Sequence, residues 1–83
     1  MQGEFSVSRS IAGARIRATR RARGITQAGL ARRLDISASY LNLIESGKRT
    51  IAGRLLARAA EELGVDVEAL DGAAERRLVD QLQ

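Results

Sequence analysis

Between residues 26 and 49 the chain reads TQAGLARRLDISASYLNLIESGKR. Thr26 is placed to cap a helix, with Ile25 before it and Leu30 after it as a hydrophobic staple. The short helix expected over 27–34 puts Leu30, Ala31 and Leu34 on one face. Gly29 lies inside it, at about 1 kcal/mol relative to alanine. Asp35-Ile36-Ser37 is too short for anything but a tight turn, and Ser37 can cap a further helix running to about Ser46 and closed by Gly47. In that helix Leu41 and Ile44 point the same way as Ile36, while Ala38, Ser39, Asn42 and Leu43 point away. Two short helices joined this closely must cross steeply, and the small Ala31 suits the closest approach. The pattern is that of a helix-turn-helix, its second helix free to present a polar face to a major groove. An ordinary helical hairpin in a small bundle is the plain alternative.

On the N-terminal side, residues 1–7 have no periodicity and are expected to form a disordered tail. Ser8 or Ser10 can then cap a helix carrying Ile11, Ala12, Arg15, Ile16, Thr19, Arg20 and Arg23 at helical spacing, ended by Gly24. On the C-terminal side, Lys48-Arg49-Thr50 is a polar connector with Thr50 as an N-cap. The helix from about Ile51 to Leu63 turns Leu55, Leu56, Ala59, Ala60 and Leu63 inward, and Gly64 closes it. One more turn, Val67–Leu70, precedes a break at Asp71-Gly72. Ala74, Leu78 and Leu82 then recur at every fourth position. The expected organisation is all-α: a helix-turn-helix body over 8–71 and a C-terminal helix over 72–83. That last helix stops in mid-pattern, as a segment cut from a longer chain would, or as a frayed natural terminus would.

Composition narrows the chemistry. Eighty-three residues make one small domain, burying only roughly 60% of the surface exposed when unfolded. With no cysteine and no histidine, the chain lacks thiolate and imidazole ligands, the commonest general base, and any Ser-His or Cys-His nucleophile pair. No metal site, cofactor or enzymatic activity is expected. One Phe, one Tyr and no Trp exclude a base-stacking sheet of the RNA-binding kind. No apolar run approaches the ~18 residues of a membrane span, and no charged segment leads into an apolar one at the N-terminus as a secretory signal requires. An intracellular, cytoplasmic (nucleoid-associated) location without membrane contact is expected.

The net charge of +4 hides a split. Residues 1–60 carry twelve Lys/Arg against three acids, whereas residues 61–83 carry two Arg against seven acids. Thirteen of the fourteen cations are arginine, whose planar fork suits phosphate and stays charged. A basic first two-thirds is the electrostatic footprint of a polyanion binder. A solvated Arg-rich surface of compositional origin would read the same way.

The segment RARGITQAGLARRLDISASYLNLIESGKR resembles the helix-turn-helix domain of the lambda-repressor-like family, also called the xenobiotic-response-element family of bacterial regulators. The similarity runs from Ile16 to about Leu70 and rests on the Thr-Gln opening, the Ser-x-Ser-Tyr-Leu run and the Ile-Glu-x-Gly-Lys-Arg ending. The string Tyr-Leu-Asn-Leu-Ile-Glu is especially similar to the N-terminal domains of short-chain fatty acyl regulators, longer chains whose C-terminal part senses a metabolite. The resemblance implies a compact five-helix fold and operator binding as a dimer, with any small-molecule effector acting through a domain absent from these residues. It also implies a pairing of Arg20 with Glu45, and a bond from Gln27 to the DNA backbone. Two departures stand out: Asp35 occupies the turn position where glycine is usual, and Gly29 stands where glutamate is common. Asp tolerates a left-handed backbone better than most residues.

Expected roles follow for each residue. Ala38, Ser39, Asn42 and Leu43 are the base-edge candidates: Asn42 by a bidentate grip on adenine, Ser39 with either base type, Ala38 or Leu43 against a thymine methyl. Ala38 as surface filler and Leu43 as part of a dimer seam are the plainer alternatives. Gln27 at a helix N-terminus, Tyr40 through its phenol, and Lys48 and Arg49 are phosphate candidates, giving affinity without sequence preference. For Gln27 a plain capping amide, and for Tyr40 a partly buried ring, are the alternatives. Arg32 and Arg33 are expected to be solvated. Double-stranded DNA is the expected partner, bound by a homodimer on a palindromic operator and read by the helix over about 38–46. Two seams are candidates for that dimer: Val65, Val67 and Leu70, or Ala74, Leu78 and Leu82. The competing reading is a protein-interaction module of antitoxin or co-activator type on the same fold.

Overall fold

The structure, a computed structural model, describes residues 2–72, with side chains from residue 11 onward. Five helices follow one another: α1 (Gln2–Ala22), α2 (Gln27–Leu34), α3 (Ala38–Glu45), α4 (Gly53–Leu63) and α5 (Val67–Asp71). Among the described residues there is no strand. The C-terminal helix expected beyond Gly72 lies outside the described residues.

The boundaries of α2 and α3 have local causes. The Thr26 hydroxyl accepts a hydrogen bond from the Gly29 amide at 2.9 Å, and the Ser37 hydroxyl accepts one from the Tyr40 amide at 3.0 Å. Each satisfies one of the orphan donors at a helix start. Between them Asp35 takes the left-handed conformation, φ 60° and ψ 41°, and its N–H closes α2 on the carbonyls of Ala31 and Arg32. It is the one non-glycine with positive φ among the described residues. Aspartate thus does here what glycine usually does, at a modest conformational cost.

Two boundaries differ from expectation. α1 starts at Gln2, ahead of the Ser8 and Ser10 caps and across residues 2–7, where a tail is expected. Thr50 does not cap α4. The cap residue is Ala52, in an extended conformation and without a side-chain bond, and Gly53 follows at φ 59°. The connector stays extended because Ile51 is drawn out of the helix and into the core, where it is 8% exposed.

The core is one cluster reaching into every helix. Ile16 of α1, Leu30 of α2, Leu41 and Ile44 of α3, Leu63 of α4 and Leu70 of α5 are its largest fully buried side chains. Full burial of such side chains is worth about 1.5–3 kcal/mol each. Ile25, Ile36, Leu55 and Val65 pack around its margin. Leu70 therefore belongs to the core and is withdrawn from the seam in which the sequence places it. α1 crosses α3 at backbone contact: a Cβ on Gly13 would overlap the Ile44 carbonyl oxygen. Two arginines tie helix ends together. Arg15 Nη1 donates to the Ala69 carbonyl at 2.8 Å, and Arg58 Nη2 donates to the Arg33 carbonyl at 2.6 Å. The outcome is that α3 is gripped on its inner face by α1 and α2, and its outer face is left uncovered.

Candidate nucleic-acid interface

Alternation along α3 separates two faces. Leu41, Ile44 and Glu45 are buried, while Ala38, Ser39, Tyr40 and Asn42 are exposed and Leu43 is half-buried. The outer face carries no charge of its own. Ala38, Ser39, Asn42 and Leu43, together with Gln27 at the start of α2, line one shallow surface depression. Five residues that the sequence singles out for DNA contact are thus brought to one place. Tyr40 stands 37% exposed in the first turn of α3.

The turn after α3 is folded back on the helix end. The Leu43 carbonyl oxygen accepts from the Lys48 amide at 2.9 Å, from the Arg49 amide at 3.1 Å and from the Ser46 hydroxyl at 3.1 Å. Gly47 makes this possible by taking φ 83°. The backbone at Lys48 and Arg49 is therefore held close to the end of α3, and both cationic side chains stand in solvent. Long cations on a fixed backbone can meet phosphates at a defined distance from the groove.

Beneath the outer face lies an ion pair. Arg20 Nε donates to Glu45 Oε2 at 2.8 Å and Arg20 Nη2 donates to Glu45 Oε1 at 3.0 Å, a two-bond fork. The side chains are 9% and 2% exposed. Arg20 Nη1 also donates to the Ile25 carbonyl at 2.9 Å, so the same guanidinium fastens the turn between α1 and α2. The bonds to Glu45 hold the guanidinium pKa above its ordinary value; desolvation works against them and the carboxylate's charge with them. No buried side-chain nitrogen or oxygen among the described residues is left without a partner.

Gln27 makes two side-chain bonds within the protein. Its amide nitrogen donates inward, to Glu45 Oε1 at 3.2 Å, and sideways, to Asn42 Oδ1 at 3.3 Å. The side chain thus joins the buried pair to the outer face of α3. The close crossing at Gly13 and the carbonyl bonds of Arg15 and Arg58 are contacts that spacing alone does not reveal. A glycine one turn before Ile16, inside an otherwise strong helix pattern, is the only sequence signal for the first; the arginine contacts have none. Arg32 and Arg33 are exposed in the last turn of α2, at the negative end of its dipole. Among the described residues no group of His, Cys, Asp or Glu could hold a metal ion. No helix among them is long and apolar enough to cross a membrane.

Comparison with known proteins gives concordant results. Residues 16–70 match the helix-turn-helix family model. The HTH-type transcriptional regulator RamB of Mycobacterium tuberculosis is 40% identical over 77 residues, which is 93% of this chain and 16% of RamB. The propionyl-CoA carboxylase regulator of Cereibacter sphaeroides is 36% identical over 72 residues, again 16% of its length. The chain thus spans about a sixth of these relatives. The crystal structure of the clp gene regulator ClgR from Corynebacterium glutamicum superposes with a TM-score of 0.71 at 30% identity, covering 90% of this chain and 85% of that one.

Proposed function

From the premise that this chain belongs to the lambda-repressor-like helix-turn-helix family of transcriptional regulators, we propose that it reads duplex DNA with α3. The outer face of α3 enters the major groove, with Ala38, Ser39, Asn42 and Leu43 at base edges and Tyr40, Lys48 and Arg49 at phosphates. The single observation that carries this is the uncovered, uncharged face of a helix packed from behind, with two exposed cations on a held backbone just past its end. Binding, not catalysis, is its activity. Two copies on a palindromic operator place two α3 helices in successive major grooves, about 34–36 Å apart. With Leu70 in the core, the dimer seam falls to Val67, which is 36% exposed, or to the Leu stripe of 74–82. The action is repressor-like and cytoplasmic, on the nucleoid. The relatives' greater length and the name of the propionyl-CoA carboxylase regulator support a place as the DNA-reading end of a regulator of short-chain acyl metabolism, the effector acting on another domain.

The test is the salt dependence of duplex binding. Log affinity falls linearly with log salt, by about 0.9 for each phosphate neutralised. Lys48→Ala with Arg49→Ala lowers that slope and weakens all sequences alike. Salt-independent affinity, or no binding to any duplex at low salt, refutes the proposal.

A further inference from the structure

The exposed side of α1 carries two cations that the contacts described so far leave unused. From Ile11 to Ala22 the helix holds four arginines and no acid. Two of them are occupied: Arg20 forks onto Glu45, and Arg15 reaches the Ala69 carbonyl. Arg17 and Arg21 are exposed, and neither makes a hydrogen bond or ion pair among the described residues. Four residues apart, they share one face of the helix, separated by about 6 Å along its axis. Like charges at that spacing repel, and no acid on this stretch of α1 offsets them. A row of anions does.

Their position follows from the crossing of α1 and α3. A Cβ on Gly13 would overlap the Ile44 carbonyl oxygen, and Arg20 bonds Glu45, so the line of α1 through residues 13 and 20 lies on α3. At about 100° per residue, Arg17 lies about 40° and Arg21 about 80° to one side of Gly13, whereas the buried Ile16 lies to the other. Arg17 and Arg21 therefore border the crossing on its solvent side. The end of α1 that carries them leads through the turn at Ile25, fastened by Arg20, into Gln27, which lines the same depression as Asn42. Resting on the DNA-binding reading above, we propose that Arg17 and Arg21 form a second anion-binding strip, outside the helix-turn-helix, that takes the sugar-phosphate backbone of the duplex α3 reads. The strip touches no base, so it lengthens the contact and strengthens binding to every sequence alike. Its effect comes from displaced counterions and thus from charge, so lysine can stand in for arginine.

A salt series on the full chain tests this, using a duplex recovered with wild type by selection from random sequence. Wild type is compared with Arg17→Ala, Arg21→Ala, Arg21→Lys and Arg33→Ala, with a thermal melt of each. Arg17→Ala and Arg21→Ala each lower the slope of log affinity against log salt by about 0.9, which is about eightfold in affinity between 1 M and 0.1 M salt. Both keep the wild-type base preference. Arg21→Lys keeps the wild-type slope. Arg33→Ala removes the same charge from the exposed end of α2 and also keeps the slope, so net charge alone is excluded as the cause. Should one alanine variant melt too early to be assayed, the other carries the test. The inference is overturned by an unchanged slope in a folded Arg17→Ala or Arg21→Ala, by an equal fall in Arg33→Ala, by an Arg21→Lys that falls with Arg21→Ala, or by an altered base preference. Failure of wild type to bind any duplex at low salt overturns the DNA-binding reading instead.

Discussion

Replacing Glu45 by alanine should destabilise this chain far more than replacing an exposed acid such as Glu61. Glu45 takes two hydrogen bonds from Arg20 and one from Gln27, and its side chain is 2% exposed. Without it the Arg20 guanidinium keeps only the Ile25 carbonyl, in a place too enclosed for water to replace the carboxylate. Breaking such a pair costs about 3–5 kcal/mol, mostly the penalty of the stranded charge. A chain of this size has a total stability of roughly 4–12 kcal/mol. The loss is thus a large share of it, and the melting temperature drops by roughly 12 °C or more. Glu61 is exposed, and Glu61→Ala stays within about 0.5 kcal/mol of wild type. Urea denaturation followed by circular dichroism compares the two. A second comparison separates the stranded charge from lost packing: Arg20→Met with Glu45→Leu leaves no buried charge and destabilises less than Glu45→Ala alone. The sign of the Arg20 shift matters for the buffer. Its folded pKa lies above that of the unfolded chain, so its stabilisation is fully present below the ordinary arginine range and is lost only as pH rises past it. Neutral buffers therefore leave the arginine's contribution intact. Equal midpoints for Glu45→Ala and Glu61→Ala would refute the reasoning.

Three further outcomes are expected. Asn42→Ala costs about 1–3 kcal/mol on the operator and little on random DNA, measured by titration at one salt concentration; equal losses on both make Asn42 a backbone contact. Gly13→Ala gains about 1 kcal/mol of helix propensity, yet its Cβ meets the Ile44 backbone, which cannot swing aside as a side chain could. Overpacking of about 1–3 kcal/mol or more wins, and a urea midpoint at or above wild type would show that α1 and α3 separate freely. Sedimentation finds one copy, or a weak dimer, free in solution and two on the operator; a single copy on an asymmetric footprint excludes the palindromic mode.

The caps of α2 and α3 and the turn between them were the legible part of the fold, because their causes are local. Thr26 and Ser37 need only a hydroxyl three residues before an amide, and Asp35 needs only to tolerate φ 60°. The apolar set of α2 and α3 was legible through spacing, and all of Leu30, Ala31, Leu34, Leu41 and Ile44 are buried. Thr50 failed as a cap for a reason no local window contains: Ile51 gains more by entering a core built from the other helices than Thr50 gains by bonding an amide. Gln27 was legible as a polar residue at a helix start, but the direction of its amide depends on Glu45, eighteen residues on. Gly13 shows the same limit. Helix propensity counts a mid-helix glycine as a defect, whereas a crossing helix makes its missing side chain a requirement.

α2 and α3 are eight residues each, too short to persist alone in water. Their geometry is therefore imposed by what they pack on, and the proposed reading surface is only as rigid as that support. The outer face of α3 has small or short side chains, Ala38, Ser39 and Asn42, whose reach is slight. Short side chains read a groove only when the helix itself lies at the right depth, so positional error falls on the backbone and not on flexible stems. The Gly13 crossing sets the distance from α1 to α3, the Arg20 fork sets how the helix end sits against the turn at Ile25, and Gln27 bonds both Glu45 and Asn42. On the proposed reading, the residues that hold the fold together also place α3 in the groove. A substitution at Glu45 should lower stability and selectivity together, whereas one at Lys48 should lower affinity alone.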